Sequence, residues 1–552
     1  MGESISRAEA VSLLWKLKQA ADSKSSPEIP YIHFNMLLVD PDYREEIIAT
    51  VLNSNFEDLQ SMASRLQAAN LDGRLIKDPN DVKVSQLTKR ETQVSFIPPA
   101  DIHEQRIVQG RDPWRVALYL LLALVIILGI SFVVYYYNTL SRLVKSEHLV
   151  AESIVEDTRW QEGDTYILTD TIYVEAGANL TIDPGVTVKG RPGSALIITR
   201  DSQLYARGSK AKPIVFTSAA EIGQRQPGDW GGLVLLGKAP VNGRDTHIEG
   251  VDETDSRGMF GGVDETNSCG VLEFVRIEYA GFEVYANNEL NGLTLGGCGN
   301  HTVVRNVQVH RALDDGIEVF GGTVDMKNIL ITGPGDDGLD WDLGWTGRVQ
   351  FLIVQQHANR GDNAFEGDSN KKRHAALPKS EPTIYNATLI GGFSENKGQR
   401  AMLLRRGSGG HFVNFIVTGF SKEAFDLRDE ETVNNIERDQ LSFRSAMLFD
   451  IGKGGRTFFQ NESEDDDDGG FSEKEYFESL ASVKLDVNPG FGLSVRDPRA
   501  PEFSPQGNTV AALFAEEPPQ DEFWNEGAKF LGALPPKAQQ TWLDGWVSFP
   551  VD

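Results

Sequence analysis

The sequence predicts an all-β parallel β-helix carried behind one membrane-spanning helix and a small, mainly α-helical amino-terminal domain. Three observations lead there. Short apolar strand-like segments recur at intervals of 22 to 24 residues, with Gly, Asn and Asp at the corners. A period of that size with strand spacing marks stacked coils, each too small to bury its own core. Ahead of the repeats, no charged residue occurs from Val116 to Tyr137.

In chain order, residues 1–76 read as the helical domain. Ser6 and Glu9 form a capping box, followed by Ala10, Leu13, Leu14 and Leu17 on one helical face. A second helix begins near Pro41 with Ile47, Ile48, Val51 and Leu52; a third carries Phe56, Leu59, Met62, Ala63 and Leu66. No metal, phosphate or nucleophile motif occurs there. Residues 77–113 are polar and read as a linker.

Residues 114–138 supply the roughly 20 apolar residues that cross a bilayer core. Trp114 at one end and Tyr135, Tyr136 and Tyr137 at the other suit the interfaces. Arg106, Arg111 and Arg115 precede the run; Arg142 and Lys145 follow it. The slight bias places the first part in the cytoplasm and the second outside, with the run as an uncleaved signal anchor. The chain has 53 Lys+Arg against 80 Asp+Glu, and this charge lies almost wholly after the run. An acidic domain repels nucleic acid and suits cations or cationic partners.

Residues 139–164 read as a juxtamembrane linker and 165–510 as the β-helix. Val174 is answered 24 residues later by Ile198, and Leu180 by Leu204. Asn306-Val307-Gln308-Val309 recurs as Asn328-Ile329-Leu330-Ile331 and again as Phe351-Leu352-Ile353-Val354. Ile, Val and Leu would fill the interior, with Asn stacked at corners. A β-sandwich is the competing fold, but it does not require repeated positions to coincide. Cys269 and Cys298, the two cysteines, lie about one coil plus a loop apart. In an exported domain they form a disulfide or remain two buried thiols. Residues 511–552 read as a cap over the last coil.

Gly228-Asp229-Trp230-Gly231-Gly232, Gly270 to Gly281, Asn291 to Gly297 and Trp542-Leu543-Asp544-Gly545-Trp546 are further signatures. Together they resemble exported right-handed parallel β-helix proteins of bacteria, of the surface-protein and lipoprotein type. The resemblance spans Thr165 to Phe549. It implies the fold and export; it implies little about activity.

The candidate chemistry is an acidic ladder. Asp314-Asp315-Gly316 recurs 22 residues later as Asp336-Asp337-Gly338, and Gly361-Asp362-Asn363 follows. Asp340, Asp342, Glu366 and Asp368 lie close by. Stacked coils place equivalent carboxylates about 4.8 Å apart, so they need a cation, a basic partner or raised pKa values. Calcium suits such hard oxygen ligands, with Asp315, Asp337 and Asp362 as the metal set. Asp314, Asp315, Asp336, Asp337, Asp342, Asp362, Glu366 and Asp368 form the expected ligand face, with Trp345 as a sugar platform beside Trp341. Asp340 and Asp342 share a strand face, and Trp341 takes the opposite one. The competing reading is solvated corner residues, where Asp-Gly favours the turn.

Asp315, Asp337 and Asp340 are the candidates if the protein is catalytic. A glycosidase carboxylate pair is one model, but the Gly-His-Gly and Arg-x-Lys motifs of polygalacturonase-like enzymes are absent. No Ser-His-Asp set, P-loop, dinucleotide fingerprint or zinc spacing occurs either. A second acidic loop, Glu249, Asp252, Glu253, Asp255, Asp264 and Glu265, is a weaker calcium candidate, and Glu464 to Asp468 reads as a disordered loop. The expected function is a binding or scaffold protein of the bacterial inner membrane. Its β-helix, periplasmic or extracellular, would meet a glycan or envelope protein, and its cytoplasmic domain an inner partner. The alternative is a polysaccharide hydrolase or lyase acting through Asp314 to Asp368.

Overall fold

In the computed structural model, Val174 pairs with Ile198 and Leu180 with Leu204 across parallel strands. The 24-residue interval is therefore one coil. The structure describes residues 7–22, 32, 37, 41–54, 56–69, 146–244, 246–285, 288–394, 398–459, 467–506 and 514–551. The charge-free run, the expected linker 77–113, residues 139–145 of the second linker and most of the acidic tract at 464–468 lie outside these residues. Among the described residues, no helix is long and apolar enough to cross a membrane.

Among the described residues, the coils build two stacks, one of fifteen strands and one of nine, with parallel pairing throughout both. The architecture is the expected right-handed parallel β-helix. In the early coils, Asp183-Pro184-Gly185 turns the chain between Asn179–Ile182 and Thr187–Gly190. From Gly270–Glu278 onward the corner shrinks to one residue inside a long strand. Phe274, Asn306, Asn328, Phe351, Asn386, Asn414 and Ser445 occupy it, with φ from 50° to 63°. The register skips these positions, as a single left-handed residue requires. Asn tolerates that conformation best among non-glycine residues, which explains its recurrence.

Ile, Val, Leu and aromatic side chains from both sheets fill one continuous core. Trp341 and Trp345 belong to it, both 0% exposed. Trp341 faces inward, as strand parity predicts. Gly367, on the next coil, makes room for it; a Cβ there would lie 2.3 Å from the indole. Trp345 is therefore no sugar platform: its Nε1 donates to Val324 O at 3.0 Å inside the coil. Cys269 and Cys298 form the disulfide, with Cα atoms 5.7 Å apart.

Three boundaries differ from expectation. The coils begin before residue 165, because Glu147–Val150 pairs with Thr165–Leu168 and Thr158–Trp160 with Asn179–Ile182. These strands are short and half polar, so they show no period. The last paired strand is Val483–Leu485, well short of residue 510. The carboxy-terminal segment does not cap the last coil. It runs back along the outer face of the long sheet, where Trp546 meets Phe274 edge-on at 5.8 Å, Phe530 stacks on Phe351 at 6.1 Å and Trp524 meets Tyr385 at 4.9 Å. The corner asparagines serve this segment: Asn386 Nδ2 donates to Phe530 O at 2.6 Å, and Asn414 Oδ1 accepts from Glu516 N at 2.9 Å. The end of the coil is covered instead by helix Glu473–Ser479, capped by Ser472. Its Phe477 packs against Phe425, Phe443 and Phe459.

In the amino-terminal region, helices Arg7–Asp22, Pro41–Leu52 and Glu57–Ala68 bury the predicted stripes, including Leu14, Leu17, Val51, Leu59 and Ala63. Ser6 of the expected capping box lies outside the described residues.

Candidate functional site

Alternate residues of the short sheet face outward, and parallel register stacks them into columns. One column reads Ile197, Val234, Thr294, Glu318, Asp340, Glu366, Leu403 and Asp426. The next reads Leu236, Gly296, Phe320 and Asp342. It continues through Asp368 and Arg405, whose backbone N–H groups bond Trp341 O and Gly367 O. The first coils are apolar on this face and lie under a loop that contributes Ile248, Val251 and Phe260. Beyond that loop the face turns acidic.

A third column lies at the strand starts: Asn291, Asp315, Asp337 and Asn363. The Oδ1 of each of the first three accepts the backbone N–H of the next member, at 3.2, 2.8 and 2.6 Å. These aspartates are 6% and 4% exposed, so they are not solvated corners. Asp362 does not stack with them. Its N–H bonds Asp336 O, which sets it beside Asp314 and Asp336, and it lies 4.0 Å from Arg400. The metal set Asp315, Asp337 and Asp362 is corrected accordingly.

The residues that do converge form three triads, each offering oxygens within 4.8 Å of one another: Asp314–Asp315–Asp336, Asp315–Glu318–Asp340 and Asp337–Asp340–Glu366. Asp340 belongs to two of them. Its Oδ1 is fully covered and has no hydrogen-bond partner. An acceptor left that way costs about 1–3 kcal/mol. Burial, then neighbouring carboxylates, push Asp315, Glu318, Asp337 and Asp340 well above the usual range. Burial and then Asp368 move Asp342 up to about 6. Asp337 and Glu366 offer oxygens within 4.8 Å of each other, and Glu249 adds its charge beside Glu318.

Sequence reasoning missed Glu318, although the 22-residue interval that links Asp315 to Asp337 also links it to Asp340. Arg405 and Arg406 also join the strip. Arg405 Nε donates to Asp368 Oδ1 at 2.9 Å and its Nη2 bonds Glu366; Arg406 Nη1 bonds Asp368. A long loop before Arg400 breaks the period and hides this alignment. Burial works against the charge of Arg405, but Asp368 and Glu366 outweigh it and hold the guanidinium protonated.

A recess of about 580 Å³ adjoins the strip at Asp342. Arg244, Lys371, Lys372 and Arg373 line it with Asn370 and Thr246. Asn370 Nδ2 donates to Asn242 Oδ1 at 2.9 Å, which pins the loop that carries the lysines. In the second acidic loop, Asp252 and Asp264 bond their own Thr254 and Thr266, and Asp255 holds Arg257. Those three are satisfied turn residues. Only Glu249 reaches the strip.

Oxygen-only donors on adjacent rungs fit a hard divalent cation. Stacked coils with a carboxylate strip on the short sheet define a parallel β-helix protein. Residues 152–475 match the family model described as a pectate-lyase-like beta helix domain. That is more than half of the 552 residues, and the chain belongs to this family. No match emerges among curated proteins or among solved structures.

Proposed function

We propose that the chain is a cell-envelope protein that binds a carboxylate-rich polysaccharide through divalent cations on the short sheet, held at the membrane by residues 114–138. The observation that carries this reading is Asp340, which belongs to two carboxylate triads and whose Oδ1 is covered and unpartnered. A cation would give that oxygen its missing partner and neutralise the like charges around it. Arg244, Lys371 and Lys372 beside Asp342 would meet carboxylates that the cation leaves unbridged. Two features weigh against the hydrolase or lyase alternative. Asp337, Asp340 and Glu366 crowd their oxygens within 4.8 Å of one another, whereas a glycosidase pair stands about 5 Å or more apart to admit substrate. Arg405 is fixed in its charged form and so is unsuited to take up a proton.

The test passes the full-length protein over immobilised polygalacturonate, with neutral dextran as control, in calcium and in EDTA. Retention on the acidic polymer that calcium strengthens and Asp340→Asn weakens is expected. Retention unchanged by EDTA and by the substitution would overturn the reading. Release of shortened or unsaturated products would restore the enzyme alternative.

A further inference from the structure

The turns that lead from the long sheet into the short one carry a second electrostatic anomaly, opposite in sign. Arg311, directly after strand Val303–His310, has its Nε covered and without a partner. Two coils on, the same holds for Arg360 Nε, His357 Nε2 and both amide atoms of Gln356. These are five of the nine such atoms found among the described residues. Buried polar atoms are normally paired, and each exception asks for a missing partner.

The coil between contributes Gly333-Pro334-Gly335. A Cβ at Gly333 would lie 2.5 Å from the His357 ring, and one at Gly335 would lie 2.9 Å from Arg360 Nη2. The glycines therefore leave the space that the flanking side chains use. Their backbone ties are firm. Arg360 Nη2 donates to Ala312 O at 2.9 Å, and Gln399 Nε2 donates to His357 O at 2.9 Å and to Arg360 O at 2.5 Å.

No carboxylate among the described residues forms an ion pair with Arg311, His357 or Arg360. Like charges are left facing one another. Burial, then Arg311 and Arg360, pull His357 down to about 4; burial, then Arg311, pull Arg360 down to about 10. Two guanidiniums without a counter-ion repel. The same donors around one anion would each gain a charge-assisted hydrogen bond.

We infer that Arg311, Gln356, His357 and Arg360 form a binding site for an oxyanion, either a free ion such as sulfate or the pendant acidic group of a glycan. The site stands apart from the carboxylate strip in chemistry and in residues. It does not rest on the polysaccharide reading.

The test melts the full-length protein in EDTA, with sulfate replacing chloride at constant ionic strength. A saturable rise in Tm is expected for the parent. Arg311→Gln is the informative variant, since its side chain has no partner to lose. It should melt at or above the parent in chloride, because a repulsion is removed, and should lose the sulfate increment. Sulfate also stabilises proteins by exclusion from their surface. A response equal in parent and variant, or no saturable response in the parent, would overturn the site. A second arm titrates oligogalacturonate in EDTA. Affinity reduced about tenfold or more by Arg311→Gln, as loss of a charge-assisted bond would give, assigns the anion to the glycan. A sulfate response without glycan binding assigns it to the free ion. Asp340→Asn should keep the sulfate increment, so failure here and failure of the strip remain separable.

Discussion

The two outer faces of this β-helix solve the same problem in opposite ways. The long sheet presents Leu330, Ile353 and Ile390, and the chain's own carboxy-terminal segment covers them with Ala533, Leu534 and Leu543. The short sheet presents an apolar patch only on its early coils, under a loop, and then a strip of carboxylates. One face is sealed by burial and by hydrogen bonds to Gln308, Asn386 and Asn414. The other is left with like charges at rung spacing. The difference separates stability from availability: the sealed face contributes to folding, while the carboxylate face keeps repulsion that Arg405 and Arg406 relieve only at one end.

The largest effect should come from unsealing the long sheet. Trp546 is 1% exposed and donates from Nε1 to Trp542 O. Trp546→Ala should cost about 3–5 kcal/mol, read from denaturant melts. A loss under about 1 kcal/mol would mean the segment only rests on the sheet, and the contrast between faces would collapse.

A smaller effect should follow pH on the acidic face. The strip carboxyls have folded pKa values raised above their unfolded ones. Their stabilising contribution is therefore complete below about pH 4 and is lost as pH rises through the folded values. The contribution from Asp342, at about 6, should amount to about 2–3 kcal/mol. In EDTA, melts should show stability falling between about pH 4 and 7, and calcium should flatten that slope. Stability that rises over this window in EDTA would show that the strip is not strained.

The smallest effect should be at the rim. Lys372→Ala removes a cation from the recess at Asp342 without touching the core. Melting should be unchanged, while polygalacturonate binding in calcium weakens about two- to fivefold and responds less to salt. An unchanged affinity would confine the ligand to the carboxylate strip.

The sequence made the coil legible because strand positions repeat and turns do not. Val174 and Ile198, or Asn306 and Asn328, recur at fixed intervals because stacking demands it. Parity along one strand was enough to send Trp341 inward. The candidate site was legible only where the turns are short. Asp315 and Asp337 are one unbroken coil apart, whereas Arg405 follows a long insertion and its bonds to Glu366 and Asp368 leave no periodic trace. The wrong assignment of Asp362 came from a shift of one residue, since Asn363 holds the matching place. The Arg311–His357–Arg360 cluster was invisible for the same reason. Its residues come from turns of unequal length, and the coil between them contributes only Gly333-Pro334-Gly335. The first coil and the returning segment were missed because neither repeats.

That returning segment also sets a clock. Leu330 waits for Leu534 to cover it, and 204 residues separate them. At about 5–20 residues per second of synthesis, the coils can stack while their long face stays bare for roughly 10–40 seconds. During most of that interval the nascent chain exposes an apolar sheet whose cover is still unmade. A chaperone holding that surface, or a neighbouring chain sticking to it, would compete with the last forty residues for the same place.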